Sequence, residues 1–560
     1  VAWSDAGRSA QERSGSVKVA EAIGQALADL GVDRVFGLVG SGNFRVTEAL
    51  RSRGARFISS RQETSAVSAA DGYATVTGRV GVVTVHQGPG YTNAITGMVE
   101  CAKSRSPVLL IAADTPDSWI HSNFRVGQAT MAEAGGIAVV RPTTAAAVRD
   151  ALARTWELTA RERRATALLV PLDVLDADVG NGFSPIRRGQ LSSRPAADPA
   201  QVRRAIALAA GAERPVVIAG RGAVLADARQ PIERFAETIG APLATSVVAN
   251  GLFAGSGWNL GISGGFASPL AAEVIGRADL VIAFGASLTH WTTKHGRLIA
   301  EGARIVQVDH DATAIGVHHP VDVGVVGDAR LAAEAMAAAA EPRPGQRTDV
   351  LLERIARGTW RNLPFDDAST ADTIDPRMLT LALDRLLPPE RTIVVDGGHF
   401  SGWPTMYLRT PDAAGFLFHQ AYQSIGLGLG TAIGAAVGRP DRLTVAAVGD
   451  GCAYMALGEL ETAARVGAPM LIVVYDDDAY GAEVHHFEDD DVALETVRFP
   501  ARDLAGAARA LGCDGVTVRT TGDLAAVEAW LSGPQQRPLL VDARVTPSVV
   551  GAWLPEAFRA

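Results

Sequence analysis

The chain has 560 residues, too many for a single hydrophobic core and enough for about three domains. Its 47% hydrophobic and 20% charged residues are those of a soluble globular protein, and a formal net charge of −9 argues against a nucleic-acid-binding surface. The three cysteines, Cys101, Cys452 and Cys513, are too sparse for a disulfide framework and point to a reducing compartment.

Residues 1–16 are polar and charged, lack the apolar stretch of a secretory signal, and are expected to be disordered. No run approaches the ~18 apolar residues of a membrane span, so a cytoplasmic protein is expected. A first domain is expected over 17–183. It opens with a helix at 17–30 and a strand at 34–39, followed by the turn Gly40-Ser41-Gly42. Strands at 80–85 and 107–112 follow, the first leading into His86-Gln87-Gly88-Pro89-Gly90. Alternating strands and helices imply a parallel sheet with helices on both faces.

An Arg-, Ser- and Pro-rich linker is expected at 184–199 and a second domain at 200–340. That domain shows strands at 215–222, 280–285 and 304–309, the first ending in the turn Gly220-Arg221-Gly222. A second linker at 341–375 is Pro-rich and holds one helix. The third domain, 376–544, has strands at 392–396, 443–448, 470–474 and 538–542 and a helix at 456–466. The expected fold is therefore α/β, with three doubly wound parallel-sheet domains.

The third domain carries the clearest chemical signal. One apolar strand ends in Gly449-Asp450-Gly451, and the next runs into Asp476-Asp477-Asp478-Ala479-Tyr480-Gly481. Two strand ends thus deliver carboxylates to one edge of a parallel sheet, where open α/β sheets bind ligands. Hard oxygen ligands of this kind suit Mg²⁺ or Ca²⁺ holding a diphosphate, and small Gly451 allows backbone N–H groups to face phosphate.

This spacing resembles the thiamine diphosphate signature, in which Gly-Asp-Gly is followed by a strand ending in Asn-Asn. Here that pair is Asp476-Asp477, and the added negative charge raises the demand for a divalent ion. The N-terminal half adds Arg61-Gln62-Glu63, Ala69-Ala70-Asp71-Gly72-Tyr73-Ala74 and His86-Gln87-Gly88-Pro89-Gly90-Tyr91-Thr92-Asn93. Together these resemble the acetolactate synthase, pyruvate decarboxylase and benzoylformate decarboxylase superfamily, acetolactate synthases most of all. The resemblance runs from about 17 to 543.

The resemblance implies pyrimidine-binding, middle and diphosphate-binding domains. It implies that Glu63 fixes the aminopyrimidine tautomer and that Ile425, in Ser424-Ile425-Gly426-Leu427-Gly428, holds the cofactor bent. Gly398, His399 and Phe400, in Asp396-Gly397-Gly398-His399-Phe400, would contact the diphosphate, together with Ser424, Gly449, Gly451, Cys452, Tyr480 and Gly481. Asp450, Asp477 and the Ala479 carbonyl would hold Mg²⁺ or Ca²⁺.

His86 stands where benzoylformate decarboxylase-like enzymes place an active-site His, and Glu483 where pyruvate decarboxylase-like enzymes place a catalytic Glu. Gln128 matches a Gln at the acetolactate synthase active-site rim. Its neighbour Gly127 replaces a Phe that narrows the pocket there. His485, His486 and 488–491 read as a lid or a solvated face, and His290 as a weaker pocket candidate. FAD in the middle domain is possible but not favoured, because 286–291 lacks the Arg that contacts flavin in acetolactate synthases.

The expected activity is decarboxylation of a 2-oxo acid and joining of the remaining fragment to a second carbonyl. Alternatives are simple decarboxylation to an aldehyde, acyl transfer to phosphate or a thiol, and a non-catalytic regulatory subunit of the same fold. Expected partners are the 2-oxo acid, possibly a carbonyl acceptor, and further copies of the chain. A homodimer or homotetramer would place its active sites between subunits.

Overall fold

The computed structural model describes residues 17–179, 183–186, 194–490 and 492–558. The segment 1–16 expected to be disordered lies outside them, as do 187–193 of the first linker and Asp491.

Three six-stranded sheets form. The first contains β1 (Arg34–Gly37), β2 (Arg56–Ser59), β3 (Gly81–Val85), β4 (Val108–Asp114), β5 (Ala138–Val140) and β6 (Thr166–Pro171), in the order β2-β1-β3-β4-β6-β5. The second contains β7 (Pro215–Ala219), β8 (Leu243–Thr245), β9 (Asn259–Ile262), β10 (Leu280–Phe284), β11 (Arg304–Asp309) and β12 (Val323–Val326), in the order β12-β11-β10-β7-β8-β9. The third contains β13 (Arg391–Val395), β14 (Phe416–Phe418), β15 (Leu443–Gly449), β16 (Met470–Asp476), β17 (Asp514–Val518) and β18 (Leu539–Arg544), in the order β14-β13-β15-β16-β18-β17. All pairings within these sheets are parallel. The first and third sheets share one order, counted along the chain.

The strand sequences explain this arrangement. A strand buried on both faces reads as a continuous apolar run, and β3, β7, β10 and β15 are buried at every position. In the second sheet, Val217, Ala219, Ile282, Phe284, Val306 and Val308 pack into one core, while Val216, Ile218, Val281, Ala283 and Ile305 pack into another. Successive side chains of a strand point to opposite faces, so the two cores are the two covered sides of one sheet.

Helices start where the sequence supplies caps. Asp198, Ser268 and Asp375 accept hydrogen bonds from first-turn N–H groups and are each followed by Pro. The helix expected at 17–30 spans Val19–Asp29, and the one expected at 456–466 begins at Glu459. The 341–375 segment holds the helix Asp349–Arg357 and a short 3₁₀ turn, Trp360–Asn362.

Contacts divide the chain into two compact units. The described residues among 1–70 and 80–190 form one, with the first sheet; those among 71–79 and 191–560 form the other, with the second and third. In the second unit, a Cβ on Gly72 would lie 2.1 Å from the Thr431 carbonyl oxygen, so only Gly permits this approach. Cys101, Cys452 and Cys513 are all free and buried. Among the described residues, no helix is long and apolar enough to cross a membrane.

Candidate active site

In the first unit, the candidate residues gather at the ends of β2 and β3. Glu63 opens the helix Glu63–Thr77 and is 7% exposed. Its carboxylate accepts a hydrogen bond from the Asn93 side chain at 3.1 Å. Gly90 sits between it and His86: a Cβ there would lie 3.1 Å from Glu63 Oε1 and 3.3 Å from His86 Cβ.

The His86 ring is held on three sides. Nδ1 is 2.7 Å from the Gln87 carbonyl, which can only accept, so Nδ1 carries the proton. Nε2 then accepts from the Ser41 hydroxyl at 3.2 Å, and the Phe124 ring packs edge-on at 5.0 Å. The sequence marked Ser41 only as part of a turn; nothing in its spacing announced the contact with His86.

Gln128, expected at the rim, is buried at 2% exposure. Its Oε1 accepts from Gly88 N at 2.7 Å, and its Nε2 donates to the Ala113 carbonyl at 3.0 Å. It thereby ties the turn after β3 to the end of β4. Gly127 precedes it as the N-cap of the helix Gln128–Ala134.

In the second unit, the parallel neighbours β13, β15 and β16 end on one edge. Gly449 closes β15, and Asp450 opens the short helix Asp450–Met455, so the Gly-Asp-Gly motif spans a strand end and a helix start. Asp450 is buried, and burial lifts its carboxyl to about 6, with the Asp478 carboxylate adding to the shift. Burial and then repulsion from Asp450 lift Asp477 to about 7. Neither group joins an ion pair among the described residues.

Asp476 behaves differently. Arg544, its neighbour in register on β18, pairs with both Asp476 and Asp478. Asp476 also lies against Asp542, and burial raises both carboxyls.

The loop after β13 meets the loop before the helix Gly428–Gly438 through Asp396. Its Oδ1 accepts from Gly397 N at 2.7 Å and Gly426 N at 3.1 Å, and its Oδ2 from Gly428 N at 2.8 Å. Ile425, half-buried, lies within the segment so held, and its Cγ2 would be 3.0 Å from a Cβ on Gly397. Ser424 Oγ donates to the Ile425 carbonyl at 3.4 Å. Gly398 adopts φ 132°, a conformation that excludes most side chains.

His399 is buried, and its Nε2 accepts from Gly551 N at 2.9 Å, so its proton sits on Nδ1. Burial, with His485 nearby, pulls its pKa down to about 3. The Phe400 ring stacks on Tyr475 at 5.7 Å. Cβ atoms on Gly449 and Gly451 would come within 3.0 Å of Phe400 and 2.7 Å of Tyr480, so the edge is lined by small residues against two rings. Cys452 Sγ donates to the Gly397 carbonyl at 3.1 Å, and burial raises its pKa well above the ordinary value.

Glu483 is exposed on the helix Gly481–Phe487, which also carries His485 and His486. The His486 ring stacks on Phe558 at 3.9 Å. His290 is exposed and stacks on His295 at 5.8 Å. No group of three or more His, Cys, Asp or Glu side chains able to hold a metal gathers among the described residues.

Three family models match in chain order. They are the thiamine pyrophosphate enzyme N-terminal TPP binding domain at 17–134, the central domain at 202–336 and the C-terminal TPP binding domain at 396–543. The chain is 27% identical over 547 residues to an acetolactate synthase from Mycobacterium bovis, covering 93% of this chain and 87% of that protein. It is 28% identical over 533 residues to a sulfoacetaldehyde acetyltransferase from Alcaligenes xylosoxydans xylosoxydans, covering 87% and 86%. An acetolactate synthase large subunit from Parasynechococcus marenigrum is 28% identical over 559 residues, covering 95% and 88%.

Proposed function

Since the chain belongs to the thiamine pyrophosphate (thiamine diphosphate) enzyme family, we propose that it is a carboligase that decarboxylates a 2-oxo acid and joins the remaining fragment to a second carbonyl. The observation that carries the reading of the site is the pair Asp450 and Asp477. These are two carboxyls at adjacent strand ends, both lifted by burial, and neither is neutralised by an ion pair. A divalent cation would relieve that repulsion, with diphosphate oxygens as its further ligands. The residues thus fit Mg²⁺, or Ca²⁺, held by Asp450, Asp477 and the Ala479 carbonyl.

When bound, thiamine diphosphate supplies a nucleophilic carbon and an electron sink for the loss of CO₂. The protein's own residues supply the rest. Glu63, sheltered from water, holds a proton toward the aminopyrimidine ring. Ile425, in the segment that Asp396 holds, would press on the bound cofactor. His86, with its Nε2 accessible through Ser41, accepts or returns a proton near the substrate. Glu483 stands on an exposed helix from which it can protonate a product or orient an acceptor.

FAD is not favoured in the second sheet. A Cβ on Gly222 would lie 2.7 Å from Gly285 Cα, so the turns after β7 and β10 pack directly on each other at the point where that sheet's strand order reverses. A homodimer or homotetramer is the assembly proposed. Trp119, Ile120 and Phe124 in the first unit and Tyr454 and Met455 in the second are all more than 40% exposed, as surfaces awaiting a partner are. A cytoplasmic location is proposed with it.

Acyl transfer is the second reading, favoured by the similarity to sulfoacetaldehyde acetyltransferase. The test is CO₂ release from a panel of 2-oxo acids with the cofactor and Mg²⁺, with and without an added aldehyde or phosphate. A hydroxyketone or acetohydroxy acid product establishes the carboligase. Aldehyde alone means a simple decarboxylase; acyl phosphate formed from phosphate and an aldehyde bearing an α-sulfonate, offered in place of the 2-oxo acid, means acyl transfer, the departing sulfite carrying away the two electrons. Cofactor binding without any turnover means a non-catalytic subunit.

A further inference from the structure

We propose that Arg544 is a positioning residue for the cation-holding turn, acting through Asp476 and Asp478 to aim Asp477 at Asp450. The inference rests on the reading of Asp450, Asp477 and the Ala479 carbonyl as cation ligands.

Three consecutive aspartates would ordinarily repel one another and splay. Here Arg544 stands beside Asp476 in the parallel register of β16 and β18. Its planar fork spans the first and third of them, Nη1 to Asp476 and Nη2 to Asp478. The clamp takes hold on either side of Asp477, whose own side chain joins neither contact. The turn is tied twice more. Asp478 N donates to Asp476 Oδ1 at 3.0 Å, and Phe499 N donates to the Asp478 carbonyl at 2.7 Å. Asp478 itself has φ 52°, a left-handed conformation that a non-glycine residue holds only when its surroundings impose it.

Arg544 also separates the charges by role. The Asp476 side chain is 2% exposed and that of Arg544 12%, so water screens the pair little. Without the guanidinium, nothing bridges Asp476 and Asp478, and the turn that carries Asp477 and Ala479 loses the contact that holds its two sides together. Two effects then compete at the cation. Extra negative charge would attract it more strongly, whereas displacement of Asp477 and Ala479 would remove its ligands. Mg²⁺ demands near-ideal octahedral geometry, so displacement wins and affinity falls.

The test uses the full chain with thiamine diphosphate and Mg²⁺, reading cation affinity by calorimetry alongside activity. Arg544→Gln is expected to weaken Mg²⁺ by about tenfold or more, the usual effect of removing a group that orients a metal ligand. The KM for the cofactor should rise while kcat at saturating cofactor and cation changes much less. Arg544→Lys, a point charge that cannot fork, should fall between wild type and Arg544→Gln. Asp476→Asn combined with Arg544→Gln should recover part of the lost affinity, because the buried carboxyl that Arg544 faces is then removed with it. If Arg544→Gln fails to fold, Arg544→Lys and the double variant carry the same comparison.

Unchanged or tighter Mg²⁺ binding in Arg544→Gln and Arg544→Lys overturns the inference. So does a double variant that binds Mg²⁺ no better than Arg544→Gln. A wild-type protein that binds neither Mg²⁺ nor the cofactor overturns the underlying reading and the inference with it. Normal wild-type binding with indifferent variants overturns the inference alone.

Discussion

Asp396 Oδ2 accepts a hydrogen bond from Gly428 N at 2.8 Å, and through it the end of β13 holds the segment that carries Ile425. The same carboxyl takes Gly397 N and Gly426 N on its other oxygen. Asp396→Ala strands three N–H groups and is expected to cost roughly 3–5 kcal/mol of stability, read from the urea midpoint.

The pH dependence of that carboxyl has a definite sign. Burial raises it from 3.8 to about 6 in spite of the backbone N–H groups that donate to it. The folded protein therefore holds a proton that the unfolded chain has released. This contribution to stability is full below pH 3.8 and is lost as pH rises through about 6, a change of about 3 kcal/mol. Asp396→Asn should remove that slope, seen by repeating the urea titration from pH 4 to 7.

His399 contributes the opposite slope. Burial lowers it from 6.5 to about 3, so folding favours the neutral ring. Its contribution is full above pH 6.5 and is lost as pH falls toward about 3, by roughly 3–5 kcal/mol. His399→Gln should flatten the acid limb of the stability profile while Asp396→Asn flattens the other. The two variants separate effects that partly cancel in the wild type.

Glu63→Gln keeps the Asn93 contact possible but removes the acid. Turnover should fall about a hundredfold or more with thermal unfolding little changed, the loss expected when a proton-transfer group is removed. Turnover at the wild-type rate would rule out the assigned role of Glu63.

Gly481→Ala places a Cβ 2.4 Å from Asp477 Oδ2. The carboxylate, being the flexible partner, should swing away from Asp450, and Mg²⁺ affinity should drop about tenfold with the fold intact. Calorimetric titration of Mg²⁺ in the presence of the cofactor measures it.

Much of this was legible in the sequence because the long buried strands are unbroken apolar runs: β10, β11, β15 and β16 start where the composition says they should. Edge strands β5 and β14, three residues each, carry too few positions to show a pattern. The Gly-Asp-Gly motif and the acidic run declared themselves by position at strand ends. Arg544 did not, because its partner Asp476 is 68 residues away and only strand register brings them together. Gln128 was read from its motif as a rim residue. That Gly88 N and the Ala113 carbonyl lie on either side of its amide is a fact of tertiary packing.

The common strand order of the first and third sheets has an evolutionary meaning. Two six-stranded sheets with the same strand order are most simply explained as copies of a single ancestor, long since diverged in sequence. Corresponding positions then show what each copy became. At the end of the fourth strand, the first copy keeps Asp114 neutralised by Arg141 at 2.6 Å, and the second keeps Asp476 neutralised by Arg544. After the third strand, one copy has His86 and the other Asp450. The surplus carboxylates Asp450 and Asp477 would be the later acquisition of one descendant, and the imidazole that of the other.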